Sequence, residues 1–324
     1  MKKNWVNNVH VEGYIFSIEE NGGRNKLQKA ETGPASKNPG TPYIRGVINV
    51  LTDDEGTNVV PVYFSYVTET YSSGKPNETY KILSQIIEED AAGTLKTYEG
   101  CGSAARKVRI DGDVEINDFQ GRDGEMIAAK RVRGSFVHFA DSGCRPGATF
   151  ETDMLISSTA LREVEDGDDY MQLNGYVFNF RGDILPVTFS IEVPEGIKFF
   201  EDQDVSNANP LLINLWGDIK TTVVVNEQAV ESAFGAPKVN TTTRSFRTWN
   251  VSGCSSEVME FDDDSTITKA ELKTKLEERA ARVAAEKARV EEYQKSRGAQ
   301  SAFGGGAAAP AKAASPTAAD DFPF

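Results

Sequence analysis

The sequence predicts a mainly β protein: two tandem small barrels, then a long α-helix and a low-complexity C-terminal tail. Runs of alternating apolar and polar residues, each bounded by turn residues, fill residues 1–264. Three short patterns recur there in the same order, the mark of a duplicated unit. Gly46 in YIRGVINV matches Gly175 in QLNGYVFNF, Pro61 in PVYFS matches Pro186 in PVTFS, and Gly112 in IDGDV matches Gly217 in LWGDI. The matched residues lie 129, 125 and 105 positions apart, so the second copy has shorter connections.

In the first copy, VNNVHVEGYIFSI places Val9, Val11 and Ile15 on one face and His10, Tyr14 and Phe16 on the other. A polar loop of about two dozen residues follows, a length associated with function or disorder. YIRGVINV then alternates, with Ile44, Ile48 and Val50 opposite Tyr43, Arg45 and Asn49. Asp53 to Gly56 has turn chemistry and VVPVYFSYV is the next strand. A helix is expected from about Glu78 to Asp90, capped by Asn77 and ended by Gly93, with Ile82, Leu83, Ile86 and Ile87 on one side. KVRIDGDVEI and MIAAKRVRGSFVHF complete the unit. Three strands, a helix and two strands is the order of the OB-fold, a barrel that binds oligonucleotides across one face. The second copy keeps the five strands, but its PEGIKFFEDQDVSNANP connection shows no helix pattern. The expected class is therefore two tandem OB-fold-like barrels, although strand count alone also fits other small β-barrels.

Charge is unevenly placed. The net charge is -14, yet residues 1–150 hold 18 Lys and Arg against 20 Asp and Glu, while residues 151–264 hold 7 against 21. The first copy can carry a basic face; the second would repel a polyanion, offers only Arg181, Lys220, Arg244 and Arg247 as usable cations, and reads as a scaffold or association domain or at most an auxiliary DNA contact. Three scattered cysteines, Cys101, Cys144 and Cys254, exclude a disulfide framework. With His10 and His138 the only histidines, there is no paired ligand motif, and no metal or cofactor is expected. The start, MKKNWVNNVH, lacks an apolar signal region and no stretch reaches membrane-span length, so a cytoplasmic, nucleoid-associated protein is expected. No Gly-rich phosphate loop, nucleophile elbow or zinc motif is present, and no enzyme activity is expected.

A surface for single strands needs aromatics for stacking and cations along the backbone path. The first copy offers Tyr14, Phe16, Tyr43 and Arg45, then Lys107 and Arg109, then Arg131 and Arg133, with Lys26 and Lys29 in the long loop. The competing reading is that barrel aromatics are core and strand cations are merely solvated. In the second copy Trp216 and Trp249 read as core.

From Thr268 the sequence is strongly helical to about Arg297, with a capping box at Thr268 and Glu271 and Gly298 as terminator. Its thin apolar stripe, Leu272, Leu276, Ala280, Val283 and Val290, favours packing over a coiled coil. Residues 299–319 are mostly Ala, Gly, Ser and Pro, a tether whose ends lie on the order of 25 Å apart. It carries Asp320, Asp321, Phe322, Pro323 and Phe324, an acidic-aromatic tip suited to an apolar pocket rimmed by Arg or Lys.

The DDFPF terminus after a low-complexity linker and a barrel resembles bacterial-type single-stranded DNA-binding proteins, whose tips end Asp-Asp-Ile/Leu-Pro-Phe. The resemblance implies single-stranded DNA (ssDNA) binding, and recruitment of replication and repair proteins through Asp320 to Phe324. Two barrels per chain and the long helix depart from the usual member, and a phage-encoded form fits that divergence as well as a cellular one. The expected organisation is a DNA-binding barrel at 1–148, an acidic barrel at 149–264, a helix at 265–297 and a disordered tail at 298–324, in a monomer or homodimer. The alternative is a replisome or virion adaptor whose barrels bind proteins.

Overall fold

The structure is a computed structural model that describes residues 4–20, 22–121, 123–140, 143–163, 169–230 and 238–302. The first six strands are β1 (Asn7–Ser17), β2 (Gln28–Glu31), β3 (Pro42–Leu51), β4 (Val59–Thr68), β5 (Lys107–Gln120) and β6 (Met126–Phe139). Five of them close a barrel in the order β1-β3-β4-β6-β5, with β4 and β6 parallel and the other assigned registers antiparallel. The second set is β7 (Gly147–Arg162), β8 (Tyr170–Phe178), β9 (Ile184–Ile191), β10 (Leu211–Val230) and β11 (Lys238–Cys254). It closes in the same order, β7-β8-β9-β11-β10, again with its third and fifth strands parallel. Both are OB-fold barrels, and the fold is mainly β.

The alternation read from the sequence sets the cores. Val9, Val11, Ile15, Ile44, Ile48 and Val50 are buried in the first barrel, and Met154, Leu173, Val177, Phe189 and Ile219 in the second. Burying each such side chain stabilises by about 1.5–3 kcal/mol. Trp249 belongs to this core, in ring contact with Phe150 and Phe189, whereas Trp216 lies on Gly253 with 43% of its surface exposed.

The repeat is visible in the register. Gly112 lies opposite Val9, Val9 opposite Phe150, and Phe150 opposite Gly217. The barrels thus join through antiparallel pairing of their first strands, about a pseudo-two-fold axis at Val9 and Phe150. Both matched glycines are needed for close approach. A Cβ on Gly112 would stand 2.0 Å from the Arg133 carbonyl oxygen, and one on Gly217 would stand 2.0 Å from that of Asn250. A second join is made by Asn58, whose amide donates to Ile219 O and accepts from Thr221 N–H at 3.0 and 2.8 Å. Asn58 leaves a turn ordered by Asp53, whose carboxylate accepts N–H bonds from Gly56, Thr57 and Asn58.

Helix α1 (Glu78–Ala91) starts where Asn77 accepts the Thr79 N–H, and it buries Leu83 and Ile86. After it come a single turn, α2 (Tyr98–Cys101), and then β5. Three elements differ from the sequence expectation. The loop after β1 contains β2, which pairs with β3 and is anchored by Leu27, 1% exposed. The second copy does have its helix, α3 (Pro194–Glu201), with proline in its first turn and Phe200 buried. Its eight residues, interior Gly196 and lack of a side-chain cap gave no legible period. Helix α4 (Lys269–Ala302) also runs through Gly298 instead of ending there. The Ala-rich residues that follow are good helix formers, and a lone glycine costs only about 1 kcal/mol. Asp262 accepts the first N–H of this helix, from Lys269, at 2.8 Å.

The chain divides into two compact units. One holds both barrels. The other joins Ile116–Ala129, the outer ends of β5 and β6, to the chain from Ala270. Within it, Arg279 pairs with Asp118, Lys287 with Glu125, and Gln294 with Gln120. Leu272, Leu276, Val283 and Val290 are half-buried, as a packed stripe requires, while Ala280 is exposed. Residues 303–324, including the tip at Asp320 to Phe324, lie outside the described residues.

Candidate nucleic-acid interface

The outer face of β3 and β4 carries an open aromatic pair. Tyr43 and Tyr66 have ring centroids 4.8 Å apart, and Tyr66 is 54% exposed. Arg45 is exposed beside Tyr43 on the same face, with no carboxylate in ion-pair range among the described residues. Tyr66 shares the sequence parity of core residues Val60, Val62 and Phe64. A register shift brings it outward: Ile44 pairs with Val67 but Gly46 with Phe64, so β4 has one extra residue there. Such a bulge inverts which face a strand presents beyond it.

Further along this face, Tyr63 is half-buried and donates to Glu20 at 2.6 Å. Burial, then that hydrogen bond, pushes its pKa up to about 12. The Arg131 guanidinium lies 5.1 Å from the Tyr63 ring centroid, and Arg133 pairs in register with Tyr63 across β4 and β6.

The other sequence-nominated residues fall in separate places. Tyr14 touches Tyr98, with the Lys107 ammonium 5.1 Å from its ring. Tyr14 lies opposite Leu51, eight positions along β3 from Tyr43, or about 26 Å of strand. Phe16 sits half-buried at the bulge between Ile15 and Ser17. Lys26 and Lys29 reach α1, pairing with Asp90 at 2.8 Å and Glu88 at 2.9 Å. Arg109 forks onto Glu12 at 3.1 and 3.2 Å, Arg131 pairs with Glu115 at 2.7 Å, and Arg133 pairs with Asp113. Burial works to raise the Glu12 carboxyl, but hydrogen bonds from Arg109 and the Arg145 N–H hold it below its ordinary value. Among the described residues no three His, Cys, Asp or Glu are grouped to hold a metal, and no helix is long and apolar enough to cross a membrane.

A family model described as YorF matches residues 6–289. The chain belongs to the YorF family. No curated protein matches it. Among solved structures, it is similar to the wild-type single-stranded DNA binding protein from Thermus aquaticus, with 11% identity and a TM-score of 0.46, covering 80% of this chain and 96% of that one. A deletion mutant of the same Thermus aquaticus protein gives 10% identity and a TM-score of 0.44, covering 81% and 98%.

One cation of this YorF-family chain points elsewhere. Lys130 on β6 reaches the second barrel, donating to Thr188 O with its ammonium 4.6 Å from the Phe189 ring and 5.1 Å from Trp249. Burial pushes its pKa down to about 7, although both rings and the carbonyl favour the ammonium form. The unfolded chain then binds a proton that the native state lacks between about pH 7 and its ordinary 10.5, so native stability rises with pH across that window. Thermal melts from pH 7 to 10 should show this rise in the natural protein and a flatter profile in Lys130→Met. Equal slopes would refute it.

The sequence reading missed Tyr66, Tyr63 and Phe180. Phe180, 69% exposed, lies in the turn between β8 and β9, next to Arg181, and nothing in the local pattern tells an exposed turn phenylalanine from a core one.

Proposed function

We propose that this YorF-family chain binds ssDNA without sequence preference and protects it during replication, recombination or repair. The supporting observation is the open Tyr43–Tyr66 pair flanked by Arg45 on an OB barrel face. Bases stack on aromatic faces whatever their identity, and cations follow the phosphates. The chain performs no catalysis in this reading and acts in the cytoplasm of a bacterial or phage-infected cell, as a monomer or homodimer. Asp320, Asp321, Phe322, Pro323 and Phe324 recruit replication and repair proteins.

The test is titration of labelled oligo-dT, and of a duplex of equal length, at several salt concentrations. Tight binding to the single strand alone, weakening as salt rises, is expected. Absence of binding at low salt would overturn the reading. Deleting residues 318–324 should tighten oligo-dT binding at low salt, because the acidic tip competes for the same cations; an unchanged affinity would refute that competition.

One observation favours the adaptor reading. Lys26, Lys29, Arg109, Arg131 and Arg133 all hold carboxylates of this chain, leaving less free positive charge for phosphates. The Lys26 and Lys29 pairs face solvent and are worth only about 0–1 kcal/mol each, so phosphate can displace those carboxylates at small cost, whereas the largely buried carboxylates of Glu12, Glu115 and Asp113 hold Arg109, Arg131 and Arg133 more firmly.

A further inference from the structure

We propose that the second barrel contributes a base-stacking site of its own at Phe180, between Arg133 and Arg181, so that one strand of ssDNA crosses from barrel to barrel. The inference rests on the ssDNA-binding reading above and extends it to the half of the chain whose charge argues against DNA contact.

Phe180 is an open, held-out ring. With 69% of its surface exposed, it is the most exposed large apolar side chain among the described residues. The turn that carries it is ordered: the Asn179 side chain accepts N–H bonds from Arg181 and Asp183, both at 2.9 Å. Asn179 N–H donates to Asp183 O, and Gly182 takes the left-handed conformation the turn needs, at φ 74°. Presenting a ring from such a turn limits the ordering lost when a ligand stacks on it.

Two guanidinium groups flank that ring, Arg181 at 5.1 Å and Arg133 at 5.8 Å from its centroid. Arg133 comes from β6 of the first barrel, so the site is assembled from both barrels within one compact unit. An aromatic face bordered by guanidinium groups complements a base with its phosphates, with Asp183 in the same turn and Asp113 on Arg133 as the anions a phosphate would have to compete with.

The site is continuous with the Tyr43–Tyr66 face. Tyr63, three residues from Tyr66 on β4, is in register with Arg133 on β6. That places Arg133 on the order of 10 Å along the sheet and 5 Å across it from Tyr66. A strand leaving the tyrosine pair therefore meets Tyr63 with Arg131, then Arg133, then Phe180.

The experiment compares the natural protein with Phe180→Ala and Phe180→Trp on two oligo-dT probes. One is roughly 8 nucleotides, within the span of a single barrel, and the other roughly 30, about what two barrels cover. Phe180→Ala should weaken the long probe on the order of tenfold or more and leave the short one nearly unchanged. Phe180→Trp should keep the affinity and add fluorescence that the long probe quenches, beyond any change in the protein's three own tryptophans. If the natural protein binds both probes while Phe180→Ala matches it and the new tryptophan does not respond, this inference fails and the general reading stands. If the natural protein binds neither probe, the general reading fails first.

Discussion

Replacing both Tyr43 and Tyr66 with alanine should lower affinity for oligo-dT by at least about thirtyfold, since each stacked base is worth about 1–3 kcal/mol by alanine substitution. The ring centroids are 4.8 Å apart, with Tyr66 exposed and Tyr43 half-buried outside the barrel core, so little core packing is lost with them. Their mutual contact is worth about 0.5–1.5 kcal/mol, which limits the expected fall in melting temperature to a few degrees. Fluorescence anisotropy with labelled oligo-dT, paired with calorimetric melting, separates the two effects. A folded double variant that binds as tightly as the natural protein would remove the tyrosine pair from the interface and point to the Tyr14–Lys107 patch instead.

The second large effect concerns the fold. Gly112→Ala and Gly217→Ala should each destabilise by about 3 kcal/mol or more, because the new methyl meets a fixed backbone carbonyl and not a side chain that can turn away. Melting temperature should fall on the order of 5–10 °C for each. Gly33→Ala is the control: nothing lies within 4 Å of the added atom, and its cost should stay within about 0.5 kcal/mol. Similar losses at Gly112 and Gly217 are expected from their matching positions opposite Val9 and Phe150. A neutral substitution at either would show that the strands can separate there, contrary to the tight crossing.

Much of the fold was legible because it depends on near neighbours. Alternation places Val9, Val11, Ile44 and Ile48 inside, and Asn77 with Gly93 brackets α1. Elements set by distant contacts were not legible. The strand β2 exists because β3 lies beside it and Leu27 finds a core, and α3 is held through Phe200. The interface was half legible. Tyr43 and Arg45 follow the period of β3, but the bulge that turns Tyr66 outward is a register event between two strands. Charge pairing was hidden for the same reason: Glu12 and Arg109 are 97 positions apart in the sequence and adjacent on neighbouring strands. Nothing in a list of cations says which already have an anion.

The pairing of β1 with β7 about Val9 and Phe150 bears on how the two halves differ. Two identical subunits meeting across such an axis must present the same surface twice, so any mutation that adds an acid to one adds it to both. Joining them in one chain removes that obligation while keeping the contact. One half can hold 18 basic residues against 20 acidic, and the other 7 against 21, without either surface having to match its twin. The covalent link thus permits a division of labour that a symmetric homodimer cannot reach by point substitution.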